Sequence, residues 1–329
     1  MISISDRPAF LAACDHARTI ALSSYILPES VTERLATEAR RGAVVRVTLP
    51  AQPYADTVAE RHELAARNRR AVNAIERAGG HGTLLPQSKP LHMKVAVLDD
   101  AVAYLDDRNW SDDERQTILR DDDRGDVDTI RKALGGVPAA NDHLTTVKPQ
   151  SLALESTLIR GAREPLSVES ESFNKGPVYD ALLHAAQRGV STRLLVAQRE
   201  IDAALAKGKQ NEVVVLGTLA SAGVEVRVTP SDEKLAVCGK RGWVGSTNAT
   251  SLRGAGTSQF DWGMTTKAAA VVDGLRGHFE NTWSGATPLA RYTADKVPSA
   301  ARALASARAT TSSTPIPSTW ATVRAVSAT

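Results

Sequence analysis

The chain of 329 residues has only two cysteines, Cys14 and Cys238, which fall in different halves and within apolar segments. That excludes a disulfide framework as the source of stability. No apolar run reaches 18 residues, so no segment reads as a membrane-spanning helix. The opening stretch MISISDRPAFLAACDHARTI lacks a basic leader followed by an apolar core. No signal peptide is therefore read, and a cytoplasmic location is expected. Charge of one sign is also scarce: the formal net charge is +3 and the pI about 8.9. The mild basicity suits an anionic lipid as well as a nucleic acid and distinguishes neither.

The length is enough for two packed domains, and 42% apolar content is ordinary for a globular chain. Helix-period and strand-period patterns alternate, which places the fold in the α/β class. The pattern also repeats. TERLATEARRGAVVRVTLP at 32–50 recurs as YDALLHAAQRGVSTRLLVA at 179–197, with Gly42 matching Gly189 at an offset of 147. ERAGGHGTLLP at 76–86 recurs as ASAGVEVRVTP at 220–230, where Pro86 and Pro230 are 144 apart. Each half opens with a helix, at 7–18 and about 151–163, leading into a strand at 19–27 and 165–173.

The densest chemistry lies in LHMKVAVLDD at 91–100, which spells His92-x-Lys94-x4-Asp99, with Asn109 following in DDRNW. On an extended strand, side chains two apart share a face, so His92 and Lys94 point the same way about 7 Å apart. An imidazole beside an ammonium suits attack on a phosphodiester, the histidine as nucleophile and the lysine neutralising phosphate oxygens. The apolar run Val95–Leu98 reads as a buried strand that holds the pair. A second copy, DEKLAVCGKRGWVGSTN at 232–248, keeps Lys234, the apolar strand and Gly245-Ser246-Thr247-Asn248. It has Asp232 in the histidine position and Gly239 in the aspartate position.

These motifs resemble those of the phospholipase D superfamily, whose signature is H-x-K-x4-D-x6-G-S-x-x-N or a close variant; His92, Lys94 and Asp99 match it, and Asn109 matches the variant with one residue fewer before the asparagine. Asp106-Asp107 replaces the Gly-Ser pair of the signature, and the second copy is degenerate. The resemblance spans roughly residues 5–285. It implies two α/β/α domains with central mixed sheets, related by a pseudo-twofold axis, with one active site between them. The domains are expected at 1–145 and 146–290. A tail at 291–329, rich in Ala, Ser, Thr, Pro and Arg, reads as a disordered or loosely docked appendage rather than a basic arm on an anionic partner.

The resemblance further implies a two-step reaction through a phosphohistidine at His92. The orienting carboxylate would come from the opposite half, where Asp261 in QFDWG occupies the expected position. Lys94, Lys234, Asn109, Asn248 and Ser246 would cradle the phosphate, with no metal and no cofactor. Asp232 stands where the second acid/base belongs. Three outcomes stay open: Asp232 acts as a weak acid/base, His81 reaches in, or turnover stops. Hydrolysis or phosphatidyl transfer on a phospholipid is the favoured activity, with a nuclease or a phosphodiester-binding pseudoenzyme as alternatives. A monomer making at most peripheral membrane contact is expected. The acidic run RDDDRGDVD at 120–128 misses the calcium-loop spacing and reads as a solvated loop. Tyr104 and Trp243, at matching strand positions, read as core aromatics.

Overall fold

A computed structural model describes residues 1–55, 57–111, 116–207, 211–252 and 257–296. The first half runs β1 (Ile2–Ser5), α1 (Arg7–Cys14), β2 (Thr19–Ser23), α2 (Glu29–Arg40), β3 (Val44–Pro50), α3 (Val58–Arg77) and β4 (His81–Leu85). It continues through β5 (Val95–Leu98), β6 (Val102–Asp106), β7 (Ile118–Asp121) and α4 (Arg124–Leu134). The second half repeats it: β8 (Leu144–Val147), α5 (Lys148–Arg160), β9 (Leu166–Ser170), α6 (Pro177–Gln187), β10 (Thr192–Ala197), α7 (Gln198–Ala206) and α8 (Asn211–Ser221). Then come β11 (Glu225–Thr229), β12 (Leu235–Cys238), β13 (Arg241–Gly245), β14 (Phe260–Thr266) and α9 (Ala269–Gly285). The short β15 (Thr287–Pro288) and α10 (Leu289–Lys296) close the described chain.

The strand order is β1-β7-β6-β5-β2-β3-β4 in the first sheet and β8-β14-β13-β12-β9-β10-β11 in the second, with β15 added at its edge. The two orders are the same under the repeat. In each sheet three strands run parallel through helical crossovers, and an antiparallel ribbon extends the other edge. Two mixed sheets flanked by helices therefore carry the fold, as expected. The repeat shows in the backbone as well. Gly42 and Gly189 both end a helix with φ of 95° and 79°, a conformation that costs glycine least.

Three apolar clusters hold the molecule. One lies between the first sheet and α1–α3 and contains Phe10, Leu22, Val47, Tyr104 and Trp110. A second lies against α5, α6 and α8 and contains Trp243 and Leu216. Tyr104 and Trp243 are thus core residues, as read from sequence. The third joins the halves: Val95, Leu105 and Leu119 from one sheet pack with Leu235, Val244 and Trp262 from the other, flanked by Val127 of α4 and Phe279 of α9. Polar bonds fix the register across this seam. Trp262 donates Nε1–H to the Asp106 carbonyl at 2.9 Å, and His92 donates its backbone N–H to the Phe260 carbonyl at 2.8 Å. A site shared by the halves is therefore built on short segments anchored at both sides of this packed seam, with Asp261 on β14 itself.

Two expectations need correction. The acidic run at 120–128 is not a solvated loop: Asp121 is a buried β7 residue, and Asp123 caps α4 by accepting from the Gly125 and Asp126 backbone N–H groups. Residues 291–296, expected to belong to the tail, lie in α10, where Tyr292 packs on the core and donates to Asp202 at 2.6 Å. The rest of the expected tail lies outside the described residues.

Candidate active site

At the C-terminal ends of the parallel strands, near Pro50 and Pro86, a cleft of about 800 Å³ opens between the halves. Both half-sites line it: His92, Lys94 and Asn109 from the first, Asp232, Lys234 and Asn248 from the second. Asp261 lines it too. Ser246 lies just beneath, donating to Asp261 at 2.5 Å.

His92 and Lys94 sit on the extended segment that runs into β5, with Leu91 and Met93 turned into the seam core between them. His92 Nδ1 is 3.0 Å from Asp261 Oδ1. The buried carboxylate accepts the Nδ1–H, which leaves the Nε2 lone pair facing the cleft. Lys94 Nζ lies 3.0 Å from that Nε2. Burial and the Lys94 ammonium push the His92 pKa down to about 4, against the opposing pull of Asp261. The imidazole is therefore neutral at pH 7, the form that can attack phosphorus.

Burial would raise the Asp261 pKa, but His92, Lys94 and Lys148 outweigh it and hold the carboxyl below its ordinary value. Lys94 is 1% exposed, and burial, then Lys234, lowers its pKa to about 7. The Tyr25 ring sits edge-on to His92 at 5.0 Å and 5.8 Å from the Lys94 ammonium.

These shifts fix a pH dependence. If His92 is the nucleophile, its protonation would stop attack as pH falls through about 4, and if Lys94 binds phosphate, its deprotonation would remove that charge as pH rises through about 7. A bell-shaped kcat/KM profile with those limbs is expected for the free enzyme. Lys94→Arg should move the alkaline limb upward, because a guanidinium stays charged. A flat profile from pH 6 to 9 in both proteins would contradict the assignment.

The second half-site has the same backbone and different chemistry. Lys234 Nζ contacts Glu171 Oε2 at 2.9 Å and donates to the carbonyls of Asp232 at 2.9 Å and Asp107 at 3.3 Å. Asp232 is ion-paired with Arg108 at 2.5 Å and Arg199 at 3.3 Å, and Arg199 also pairs with Glu171. Strand register makes Glu171 the repeat mate of Tyr25, because Ser23 faces Val95 as Glu169 faces Leu235. The mate of Asp261 is Gln116. The Asp107 N–H bonds to the Thr117 carbonyl as the Ser246 N–H bonds to the Trp262 carbonyl, and Gln116 and Asp261 each precede that residue. Gln116 bonds to Ser111. In the second half-site Asp232 and Gln116 thus stand at the positions equivalent to His92 and Asp261.

Some expected residues stand elsewhere. Asp99 does not reach the cleft: it sits in the β5–β6 turn with φ of 53°, and its carboxylate accepts the backbone N–H groups of Arg18 and Thr19 at 2.8 Å. Gly239 adopts φ of 55° at the equivalent turn, so this position serves backbone geometry in both halves. His81 lies exposed at the far end of β4, away from the cleft, and offers no second acid/base. Asp107 turns inward and accepts from the backbone N–H groups of Thr117 and Lys234, which staples the halves. Burial raises its pKa well above the ordinary carboxylate value, as it raises that of Asp106 to about 6. Tyr25, Arg108, Lys148, Glu171 and Arg199 line the cleft without having been singled out in the sequence. Among the described residues, no group of three or more His, Cys, Asp or Glu side chains forms a metal cage.

Residues 156–283 match the family model described as "Cardiolipin synthase, PLD-like domain". The second half is thus similar to a phospholipase D-like domain. The match falls on the half that lacks the histidine, and the first half repeats its strand order. Phosphatidylserine synthase from Haemophilus influenzae Rd KW20 shares the fold at a TM-score of 0.64 and 9% identity, over 94% of this chain and 93% of that one. Polyphosphate kinase from Porphyromonas gingivalis aligns at a TM-score of 0.58 and 14% identity, over 84% of this chain. The chain spans 45% of the kinase's length. Nuc from Salmonella typhimurium, a phospholipase D family member, aligns over 44% of this chain at a TM-score of 0.38 and 15% identity. No curated protein matches the sequence. Among the described residues no helix is long and apolar enough to cross a membrane.

Proposed function

We propose that the chain is a phosphodiester-cleaving enzyme that works through a phosphohistidine at His92. The observation that carries this reading is the buried Asp261–His92 pair, with Nε2 presented to a cleft beside Lys94. Substrate phosphate entering between Lys94 and Lys234 would draw the Lys94 ammonium from Nε2 onto its oxygens. Nε2 then attacks phosphorus while Asp261 holds the ring and stabilises the charge that forms on it. Asn109 and Asn248, which line the cleft from the two halves, would donate to the bound phosphate. The role of Asp99 narrows to holding the turn that ends the His92-bearing strand. One chain supplies both half-sites, which supports a working monomer.

A phospholipid-type substrate is favoured over nucleic acid. Six basic side chains in the cleft lining (Lys89, Lys94, Arg108, Lys148, Arg199 and Lys234) face five acidic ones, a balance that suits one phosphate better than a polyanion. The rim also carries Tyr54, 72% exposed, an aromatic side chain suited to a lipid surface.

The test is turnover of bis(p-nitrophenyl) phosphate by the purified protein. Wild type should release nitrophenolate and be unaffected by EDTA, His92→Ala should be inactive, and Asp261→Ala should be slowed without unfolding. Loss of activity in EDTA with recovery in magnesium, or equal activity in all three proteins, would place the chemistry elsewhere.

A further inference from the structure

The two halves fill one equivalent place differently. In the second half α9 runs for 17 residues, and its last turns lay Phe279 and Trp283 over β10 and β11. The two rings stack at 5.4 Å, and the Arg227 guanidinium lies 4.3 Å from the Trp283 centroid. In the first half α4 runs for 11 residues and stops at Leu134, where Gly136 turns the chain with φ of 81°. No Phe, Tyr or Trp follows before β8. A pocket of about 240 Å³ is left between the end of α4 and β2, β3 and β4. Register makes it the mate of the filled place. Ser23, Thr48 and Thr83 form one row across β2, β3 and β4, as Glu169, Leu195 and Arg227 do across β9, β10 and β11.

The lining sets the chemistry of a guest. Leu85, Leu91, Met93, Leu134 and Phe260 give the pocket an apolar wall. An apolar cavity of about 150 Å³ holds benzene, so 240 Å³ takes one ring with a short arm. The Met93 thioether and the Phe260 ring favour an aromatic guest over an aliphatic one. Among the described residues Lys89 is the only charged side chain of the lining. The Thr48 and Thr83 hydroxyls, also in the lining, bond to none of the described residues. A cation and two free hydroxyl donors suit an anionic group on the guest. The carbonyl end of α4 repels an anion, which sends that group to the Lys89 side.

We propose that this pocket binds a small aromatic carboxylate, one ring on a short arm, at a site separate from the cleft between the halves. The pocket adjoins that cleft at Lys89 and Leu91, which line both. A guest rests on Leu91 and Met93, the neighbours of His92, and on Phe260, whose carbonyl accepts the His92 backbone N–H. The ring takes the place that α9 fills with its own aromatics in the second half. Binding here does not depend on the His92 chemistry.

Isothermal titration with 3-phenylpropanoate tests the site. One molecule per chain should bind with a Kd of about 1 mM or tighter, the range open to a ligand of about eleven non-hydrogen atoms. Hexanoate, with the same acid group and no ring, should bind about fivefold more weakly. Thr48→Val removes a hydroxyl at constant size and should weaken binding about tenfold. Thr83 is exposed on an edge strand, so Thr83→Phe should fold, place a ring of the chain's own in the pocket and abolish binding without lowering the melting temperature. Lys94→Met, in the cleft, should keep the wild-type Kd. Hexanoate binding as tightly as the ring acid, wild-type affinity in Thr83→Phe, or binding lost in Lys94→Met would each overturn the inference. So would no binding of 3-phenylpropanoate at about 10 mM. Should Thr83→Phe fail to fold, Thr48→Val decides: an unchanged Kd there overturns the site.

Discussion

Lys94→Met is expected to abolish turnover and to make the protein more stable. Lys94 is a buried ammonium whose resting contacts are the His92 ring and the face of Tyr25, with Lys234 nearby in the same cleft. Its folded-state pKa of about 7 lies well below the ordinary lysine value of 10.5, mainly through burial. Folding therefore opposes its charge. The cost is absent above pH 10.5, grows as pH falls, and is fully present below about 7. Methionine keeps the length of the chain and removes the charge. A gain of about 1–2 kcal/mol would raise the melting temperature by about 2–8 °C. The gain should be largest at pH 6–7 and vanish toward pH 10.5. Thermal melts across that range read it directly, and a destabilised variant at pH 6 would show that the ammonium has a strong partner in the resting cleft. Stability given up at one buried cation is the kind of exchange expected of a phosphate-binding site.

The second large effect concerns repair of the degenerate half. Asp232→His alone should gain less than about threefold on dihexyl phosphate. The new imidazole would sit beside Arg108 and Arg199, which disfavour its protonated form, and no carboxylate would orient it. The partner position is held by Gln116. Asp232→His combined with Gln116→Asp should restore a histidine–carboxylate pair and raise alkyl diester turnover by about 10²-fold or more, the usual worth of a general acid. Hexyl p-nitrophenyl phosphate should gain little, because its leaving group departs without a proton. Measuring both substrates in the single and double variants gives a cycle whose interaction energy is the prediction. Additive behaviour of the two substitutions would mean that they do not form one unit.

Much of this was legible in the chain. The repeat offsets around Gly42/Gly189 and Lys94/Lys234 predict two equivalent sheets, because local patterns fix strands and helices and the same pattern builds the same sheet twice. His92, Lys94 and the distant Asp261 were also readable, since the family spacing places an orienting carboxylate in the opposite half. Asp99 misled because sequence cannot tell a carboxylate in a site from one that bonds its own turn. The left-handed φ it shares with Gly239 shows only in the backbone. Arg108, Arg199 and Glu171 come from three separate segments and meet only when β9, β10 and the β6–β7 region converge, so no local spacing marks them. The exchange of Asp261 for Gln116 was hidden for a related reason. The loop after Asp107 reaches its partner strand in ten residues, whereas the loop after Ser246 takes sixteen, so a constant offset misses the pair.

The covalent intermediate tests the central claim most directly. Wild-type protein mixed with hexyl p-nitrophenyl phosphate and quenched in base within the first turnover should carry one hexyl phosphate on the peptide containing His92. The adduct should be stable to base and lost in acid, and it should be absent from His92→Ala. An adduct on another residue, or steady turnover with no adduct at any quench time, would contradict the account.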